Sequence, residues 1–188
     1  MMAMTDTSEH ILSSGRRRSR VIRPGSIQPF LAILILPLLG VLYQIYVPNF
    51  FEQLGYLELP LLIVVYYSLA WRSQIAALFF GAAVGLMQDA LSHHYVGLFG
   101  ITKTLVGYFA ASMSLRFDVD NAAIRFILSF FFFVFHQFFY WIMVRALLGL
   151  GMAFEPAQMF IQAGLNALVA IPLFIVLDKL NNRWSPRL

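Results

Sequence analysis

The chain has 188 residues, of which 60% are apolar and only 12% are charged, and its mean hydropathy is +0.76. A soluble domain carries roughly 25% charged residues, so this composition excludes an ordinary soluble protein and predicts extensive contact with lipid. The absence of cysteine excludes disulfides, thiolate metal sites and thiol nucleophiles. The net charge of +4 is concentrated at the two ends, which indicates a cytoplasmic side rather than nucleic-acid binding.

Residues 1–26 are polar and include the basic run Arg16-Arg17-Arg18-Ser19-Arg20, without apolar periodicity. Such a segment buries too little apolar surface to offset its chain entropy, so we predict a disordered basic cytoplasmic tail. The first apolar run begins only after Gln28 and is too long for the hydrophobic region of a signal peptide. We therefore expect no cleavable signal peptide.

Six apolar segments follow this tail, and a membrane-spanning helix needs roughly 17–25 such residues. We predict spans at residues 27–47, 55–71, 74–91, 97–115, 124–150 and 156–177. Only Arg72 and Ser73 separate the second span from the third. The predicted organisation is a six-helix transmembrane domain at residues 27–180 and a short basic cytoplasmic tail at residues 181–188. The fold class is an all-α integral membrane protein with six transmembrane helices.

The distribution of charge supports an even number of spans. If both ends are cytoplasmic, all of the 13 Lys and Arg residues except Lys103 and Arg145 lie on the cytoplasmic side. The loops predicted to lie outside contain Glu52, Glu58 and Glu155 instead. This asymmetry follows the positive-inside rule, and an odd number of spans would leave one basic end outside.

The third predicted span contains Gly81 and Gly85, which lie four residues apart on one helix face. Small residues at this spacing let another helix backbone approach closely. Packing within the bundle is the favoured interpretation. The functional alternative is that this face binds the membrane helix of a partner protein.

Two charged residues flank the loop after the third span. Asp89 is close to the end of span three, and Lys103 is in the first turns of span four. An isolated charge inside a membrane is costly, and a cation is also unfavourable near a helix N-terminus. We therefore expect Asp89 and Lys103 to lie near each other as a structural pair, with a proton or ion relay as the functional alternative.

The remaining candidate residues are histidines and polar groups in apolar surroundings. His93 and His94 have no carboxylate or cysteine at ligand spacing, so we interpret them as polar interface residues rather than a metal site. In span five, His136 and Gln137 require partners in the protein or a polar cavity, whereas Arg145 can extend to the outer interface. The Gly-x-Ser-x-Gly and His-Glu-x-x-His motifs are absent, so we expect no catalysis, cofactor or metal.

Three short motifs occur in order along spans three and four: Gly85-Leu86-Met87-Gln88-Asp89-Ala90-Leu91-Ser92, Gly97-Leu98-Phe99-Gly100 and Leu105-Val106-Gly107-Tyr108. With these motifs the chain resembles the MreD family of rod-shape-determining proteins, over about residues 28–182. In that family a helix ends in Gly-Leu-x-x-Asp-x-Leu, and a short loop leads to a helix with an aromatic residue after a small one. The candidates for helix packing or partner binding are Gly81, Gly85, Asp89, His93, His94, Gly97 and Lys103.

The resemblance implies a non-enzymatic component of the cell-elongation machinery in the bacterial inner membrane. It implies binding to MreC, a scaffold protein that spans the membrane once. Through MreC the chain would connect MreB filaments to the RodA glycosyltransferase and its transpeptidase partner in peptidoglycan synthesis. The implied fold is similar to that of the six-helix substrate-binding subunits of energy-coupling-factor vitamin transporters.

The alternative function is a small-molecule-binding subunit of such a transporter. Those subunits are expected to carry Ala-x-x-x-Ala on the first helix for docking a coupling subunit. Here residues 31–40 read Leu-Ala-Ile-Leu-Ile-Leu-Pro-Leu-Leu-Gly, without that pair. The outer loops also lack a polar cluster suited to a vitamin. The sequence therefore favours an interaction protein of the elongation machinery, and an intramembrane enzyme is a more distant alternative.

Overall fold

The computed structural model describes residues 27–92, 97–149, 151 and 153–184. It contains six α-helices: α1 (Ile27–Tyr46), α2 (Leu59–Trp71), α3 (Gln74–Leu91), α4 (Leu98–Ser114), α5 (Ala122–Leu148) and α6 (Pro156–Trp184). Two short 3₁₀ helices, Val47–Asn49 and Glu52–Tyr56, connect α1 to α2. No strand occurs in the described ranges, which confirms the predicted all-α class.

Four helical segments of the described chain are long and apolar enough to cross a membrane. They are Gln53–Trp71, Gln74–Leu91, Ala122–Leu148 and Pro156–Asn181. A shorter apolar helix covers Ile33–Asn49. These helices are those of a multi-pass membrane protein, whereas the count of six complete spans and the similarity to transporter subunits stay predictions.

Local sequence signals set the helix ends. Pro60 occupies the first turn of α2, where its missing N–H costs nothing. Arg72 ends α2 in the left-handed conformation with a φ of 54°, and Ser73 then caps α3 by accepting a backbone N–H. Asn121 caps α5 in the same way, and Gly149 ends it with a φ of 64°. The predicted two-residue boundary between the second and third helices is thus present.

The core of the bundle is built around α2, which contacts every other α-helix. Most of its side chains are buried, including Leu61, Leu62, Val64 and Val65. The most extensive helix–helix contact joins α3 to α4. A helix surrounded by other helices needs apolar residues on all sides, which explains the absence of a polar face on α2.

Two boundaries differ from the sequence prediction by more than two residues. The α-helix of the second span begins at Leu59 rather than residue 55, because residues 52–56 form a 3₁₀ helix instead. The sixth helix continues past residue 177 to Trp184. The predicted tail at residues 1–26 and the pair His93-His94 lie outside the described residues.

Candidate functional site

Asp89, in the last turn of α3, caps the start of α4. Its Oδ2 atom accepts hydrogen bonds from the backbone N–H groups of Gly97 and Gly100, both at 2.9 Å. Its Oδ1 atom accepts one from the N–H of Phe99 at 3.1 Å. A helix N-terminus has unpaired N–H groups and a partial positive charge, so a buried carboxylate is stabilised there. Asp89 therefore fixes the geometry of the α3–α4 hairpin.

Gly97 makes this cap possible. It precedes α4 with a φ of 101°, a conformation that glycine adopts without steric cost. In that conformation its N–H points towards the Asp89 carboxylate. Gly97 is thus a backbone element of the hairpin, and the candidate loop residues before it, His93 and His94, lie outside the described part of the chain.

The glycine face of α3 packs against the backbone of α4. A Cβ atom on Gly81 would lie 2.8 Å from the carbonyl carbon of Lys103, and one on Gly85 would lie 2.6 Å from that of Phe99. Gly107 on α4 provides the reciprocal close approach, to Ala77 of α3. These glycines hold two backbones of the same chain together. The predicted alternative, a free face for a partner helix, is excluded at this position because α4 occupies it.

Lys103 is completely buried and lies at the centre of a polar network. Its Nζ atom is 3.5 Å from Oε2 of Glu58, which precedes α2, and 3.3 Å from Nε2 of His136 on α5. The ammonium also lies 4.7 Å from the centre of the Phe99 ring. The expected direct pair with Asp89 is not formed, because Asp89 is engaged by the backbone of α4 and the carboxylate in contact with Lys103 belongs to Glu58. Asp89 still lies close enough for its charge to act on Lys103, as expected from the sequence.

Glu58 in turn binds α6 through Asn166. The backbone N–H of Glu58 donates to Oδ1 of Asn166 at 2.9 Å. The Asn166 amide group donates to the carbonyl oxygens of Tyr56 at 2.7 Å and Gln162 at 2.9 Å. A completely buried asparagine requires such partners. Glu58 and Asn166 were not among the candidates from the sequence, although an asparagine inside an apolar span is itself a signal of an internal hydrogen bond.

His136 is buried and stacks in an aromatic column with Phe99 and Tyr140. The ring centres of His136 and Phe99 lie 5.9 Å apart, with an angle of 5° between the ring planes. Those of Phe99 and Tyr140 lie 4.9 Å apart, with an angle of 15° between the planes. Because an ammonium can only donate, Nε2 of His136 accepts from Lys103 and the ring proton is assigned to Nδ1. The Nδ1 atom has no hydrogen-bond partner among the described residues. His136 thus finds its partner in Lys103, as a polar side chain inside a membrane requires.

The other two polar candidates of α5 lie outside this network. Gln137 is half-buried, and Arg145 is exposed in the last turn of α5. The Arg145 guanidinium lies 5.5 Å from the centre of the Trp141 ring. A cation stacked on an aromatic ring near a helix end is the arrangement expected of a side chain that extends to the membrane interface.

The network at this end of the bundle therefore joins four helices. Lys103 is on α4 and His136 on α5, while Glu58 begins α2 and is held by Asn166 on α6.

Comparison with protein families gives a match to rod shape-determining protein MreD over residues 25–183. The chain belongs to the MreD family. No curated protein and no solved structure matched the chain.

Membership of the MreD family assigns the chain to rod shape determination, so the family expected from the motifs around Asp89 is confirmed. The match covers all six described α-helices except the last residue of α6, and it includes both motif residues that build the α3–α4 hairpin, Asp89 and Gly97. The buried polar network is therefore a feature of an MreD-family domain rather than of an appended segment.

A second polar cluster lies at the opposite end of this MreD-family bundle. Nη1 of Arg125 on α5 is 2.6 Å from Oδ2 of Asp178 on α6, and Nε donates to the carbonyl oxygen of Val119 at 2.7 Å. The Tyr66 hydroxyl of α2 donates to Oδ1 of the same carboxylate at 2.9 Å. The distribution of charge along the sequence predicts that Arg125 lies on the cytoplasmic side, but it does not identify the partners of Arg125.

In both clusters the charged groups are engaged by other groups of the chain. Asp89 accepts three backbone N–H groups, Lys103 contacts Glu58 and His136, and Arg125 binds Asp178. Such arrangements fix the relative positions of helices. A charge inside a membrane bundle is costly unless it contacts its partners, so the helices that carry the partners must stay together.

Proposed function

We propose that the chain is a non-enzymatic membrane component of the bacterial cell-elongation machinery and that it binds the scaffold protein MreC. Through MreC it would connect MreB filaments to the RodA glycosyltransferase and its transpeptidase partner in peptidoglycan synthesis. The observation that carries this proposal is the MreD-family match over residues 25–183, which covers nearly the whole chain.

The side-chain geometry supports a structural role over a chemical one. Chemistry in a membrane requires a general acid, base or nucleophile that is available to a substrate. Here Lys103 and Asp89 are buried, and each is already bonded within the chain. These groups favour a rigid scaffold that presents its outer helix faces to a membrane partner.

The surface for MreC should lie on lipid-exposed helix faces rather than at the glycines of α3. In lipid, helix association depends on close packing and a few polar contacts, since apolar surface alone gives little drive. The α3 glycine face is filled by α4. Large exposed apolar residues remain on several helices, including Leu34 on α1, Phe79 on α3, Ile127 on α5 and Leu168 on α6.

Co-expression and co-purification with MreC in detergent test this function. The control is an MreC variant whose membrane helix is replaced by an unrelated apolar helix. We expect the native scaffold to co-purify and the control to be lost. If the folded chain fails to retain native MreC, the proposed function is wrong. Because the chain has no cysteine, single cysteines at the exposed positions, paired with cysteines in the MreC helix, would then map the contact face by crosslinking.

We also propose an inner-membrane location with both termini cytoplasmic. Arg72 in the α2–α3 turn and Arg116 in the α4–α5 loop would then lie inside, while Glu58 and Glu155 lie towards the outside. Phosphatase and fluorescent-protein fusions at the C-terminus and near Gly55 test this orientation. We expect fluorescence at the C-terminus and phosphatase activity near Gly55. The opposite pattern would exclude cytoplasmic termini, and the same reporter active at both positions would exclude six spans.

A further inference from the structure

The central helix α2 is too short to cross a membrane on its own. Its 13 residues make about 20 Å at 1.5 Å per residue, whereas the hydrocarbon core is about 30 Å thick. The turn at Arg72 and Ser73 places its C-terminal end beside the start of α3, a helix of 18 residues. The Glu58 end of α2 therefore lies well below the opposite membrane surface.

The chain between α1 and α2 must occupy the remaining depth. We call residues 46–57, which begin with the last residue of α1, the interfacial segment. Its second 3₁₀ helix, Glu52–Tyr56, adds about 10 Å at 2.0 Å per residue. Together with α2 it forms the apolar stretch Gln53–Trp71, which is long enough to span the membrane.

The interfacial segment exposes an unusual set of aromatic side chains. Phe50 is 81% exposed and Phe51 is 64% exposed, and Tyr46 and Tyr56 are exposed beside them. Aromatic residues with an apolar body are enriched where hydrocarbon meets lipid headgroups, and the hydroxyl of tyrosine suits the wet side of that boundary. In water the same surface would carry a large hydration cost.

The backbone of the segment is also suited to lipid. The N–H groups of Phe50 and Phe51 both donate to the carbonyl oxygen of Val47 at 3.0 Å. The N–H of Leu54 donates to the carbonyl oxygen of Phe51 at 3.0 Å, and the N–H of Leu57 donates to the carbonyl oxygen of Leu54 at 3.2 Å. Non-helical backbone within a membrane is tolerated only where its polar groups find partners in the protein.

The interfacial segment is bound to α1 by a hydrogen bond. The Gln44 side chain of α1 donates to the carbonyl oxygen of Gly55 at 3.3 Å. A Cβ atom on Gly55 would lie 3.3 Å from Cβ of Pro48, so the two 3₁₀ helices pack closely on each other. The aromatic side chains consequently project from a fixed base rather than from a free loop.

We propose that the interfacial segment inserts Phe50 and Phe51 into the hydrocarbon–headgroup boundary of the leaflet at the Glu58 end, and so binds the lipid surface. This contact sets the depth of α2. The segment is connected to the buried pair of Glu58 and Lys103, since Tyr56 and Glu58 are bound to the same asparagine of α6.

Spin-label depth measurements test the proposal in the full chain. Because the chain has no cysteine, Phe50→Cys and Phe51→Cys each carry one nitroxide label. Leu34→Cys, 59% exposed on α1, is the reference within lipid, and Asp120→Cys in the α4–α5 loop is the reference in water. The variants are reconstituted at a high lipid-to-protein ratio in vesicles of phosphatidylethanolamine and phosphatidylglycerol. The readout is the ratio of collision rates with oxygen and with a water-soluble nickel chelate.

We expect the ratio at positions 50 and 51 to exceed that at position 120 several-fold and not to exceed that at position 34. A ratio equal to that at position 120 would place the segment in water and overturn the proposal. Low collision rates with both reagents would show that a second copy of the chain or another protein segment covers the aromatic residues, which also overturns it. Unchanged helix content and elution volume establish that each variant is folded.

Discussion

The Oε2 atom of Glu58 lies 3.5 Å from Nζ of Lys103, although the two residues are 45 positions apart. One belongs to the start of α2 and the other to the interior of α4. Burial of two opposite charges is costly, and their mutual attraction offsets that cost only when both are present. Loss of one partner is therefore more damaging than loss of both.

Lys103→Met should lower the free energy of unfolding by about 3–5 kcal/mol, because it leaves the Glu58 carboxylate buried without its cation. The double variant Lys103→Met, Glu58→Gln should regain most of that loss. SDS-induced unfolding in mixed micelles measures both. Equal destabilisation by the single and double variants would contradict the pairing.

Asp89→Ala should lower the free energy of unfolding by at least about 2 kcal/mol, because it removes the acceptor of three N–H groups at the start of α4. Asp89→Asn should be less harmful, since one acceptor oxygen remains. Asp118→Ala is the matched control, as its carboxylate accepts a single N–H in an exposed loop. Thermal unfolding in detergent gives the comparison.

The same variant separates the observed arrangement from the pair expected from the sequence. If Asp89 served mainly to balance Lys103, Lys103→Met would rescue Asp89→Ala. Since each residue has its own partners, we expect no rescue, and recovery of stability in that double variant would count against the capping role.

Gly81→Ala and Gly85→Ala should each destabilise the protein by about 1–3 kcal/mol or more, because the new methyl group meets the backbone of α4. Replacing both glycines with leucine should eliminate the folded monomer. The control is Gly164→Ala on α6, where an added Cβ meets nothing within 4 Å, and there we expect a gain of up to about 1 kcal/mol. Size-exclusion elution and SDS unfolding distinguish these results. A stable, folded leucine double variant would disprove the close packing.

Arg125→Ala should cost about 1–2 kcal/mol, because it removes charge-assisted hydrogen bonds to Asp178 and to the Val119 carbonyl at a partly exposed site. Arg125→Lys should recover only part of this loss, since an ammonium does not reproduce the forked geometry of the guanidinium. Arg116→Ala, at an exposed position in the loop before α5, should have almost no effect. The thermal midpoints of the three variants in detergent provide the measurement, and equal midpoints would show that the pair contributes nothing.

The sequence predicted the class of the fold, the order of the six helices and the boundary at Arg72 and Ser73. These features depend on local hydropathy and on capping residues, which act within a few positions of the chain. The packing role of Gly81 and Gly85 also follows from spacing alone. Their partner does not, because it depends on which helix lies opposite.

The partners of the charged residues could not be predicted for the same reason. The sequence pattern assigns Glu58 to an outer loop, since hydropathy does not reveal that α2 begins deep in the bundle. The sequence predicts a pair between Asp89 and Lys103 because these residues flank one loop. In the structure, Asp89 instead accepts hydrogen bonds from backbone N–H groups at the start of α4. The carboxylate that contacts Lys103 belongs to Glu58 at the start of α2, which precedes both residues in the chain.

The bond between the Glu58 backbone and Asn166 joins residues 108 positions apart, with consequences for assembly during synthesis. A nascent chain enters the membrane from its N-terminal end, so α2 is inserted long before α6 is made. The α3–α4 hairpin can close early through contacts between neighbours in sequence. The backbone groups of Tyr56 and Glu58 before α2, however, have no hydrogen bond to Asn166 until α6 is made. A ribosome stalled before residue 166 would therefore hold an incomplete bundle, in which the start of α2 still requires water or a membrane chaperone.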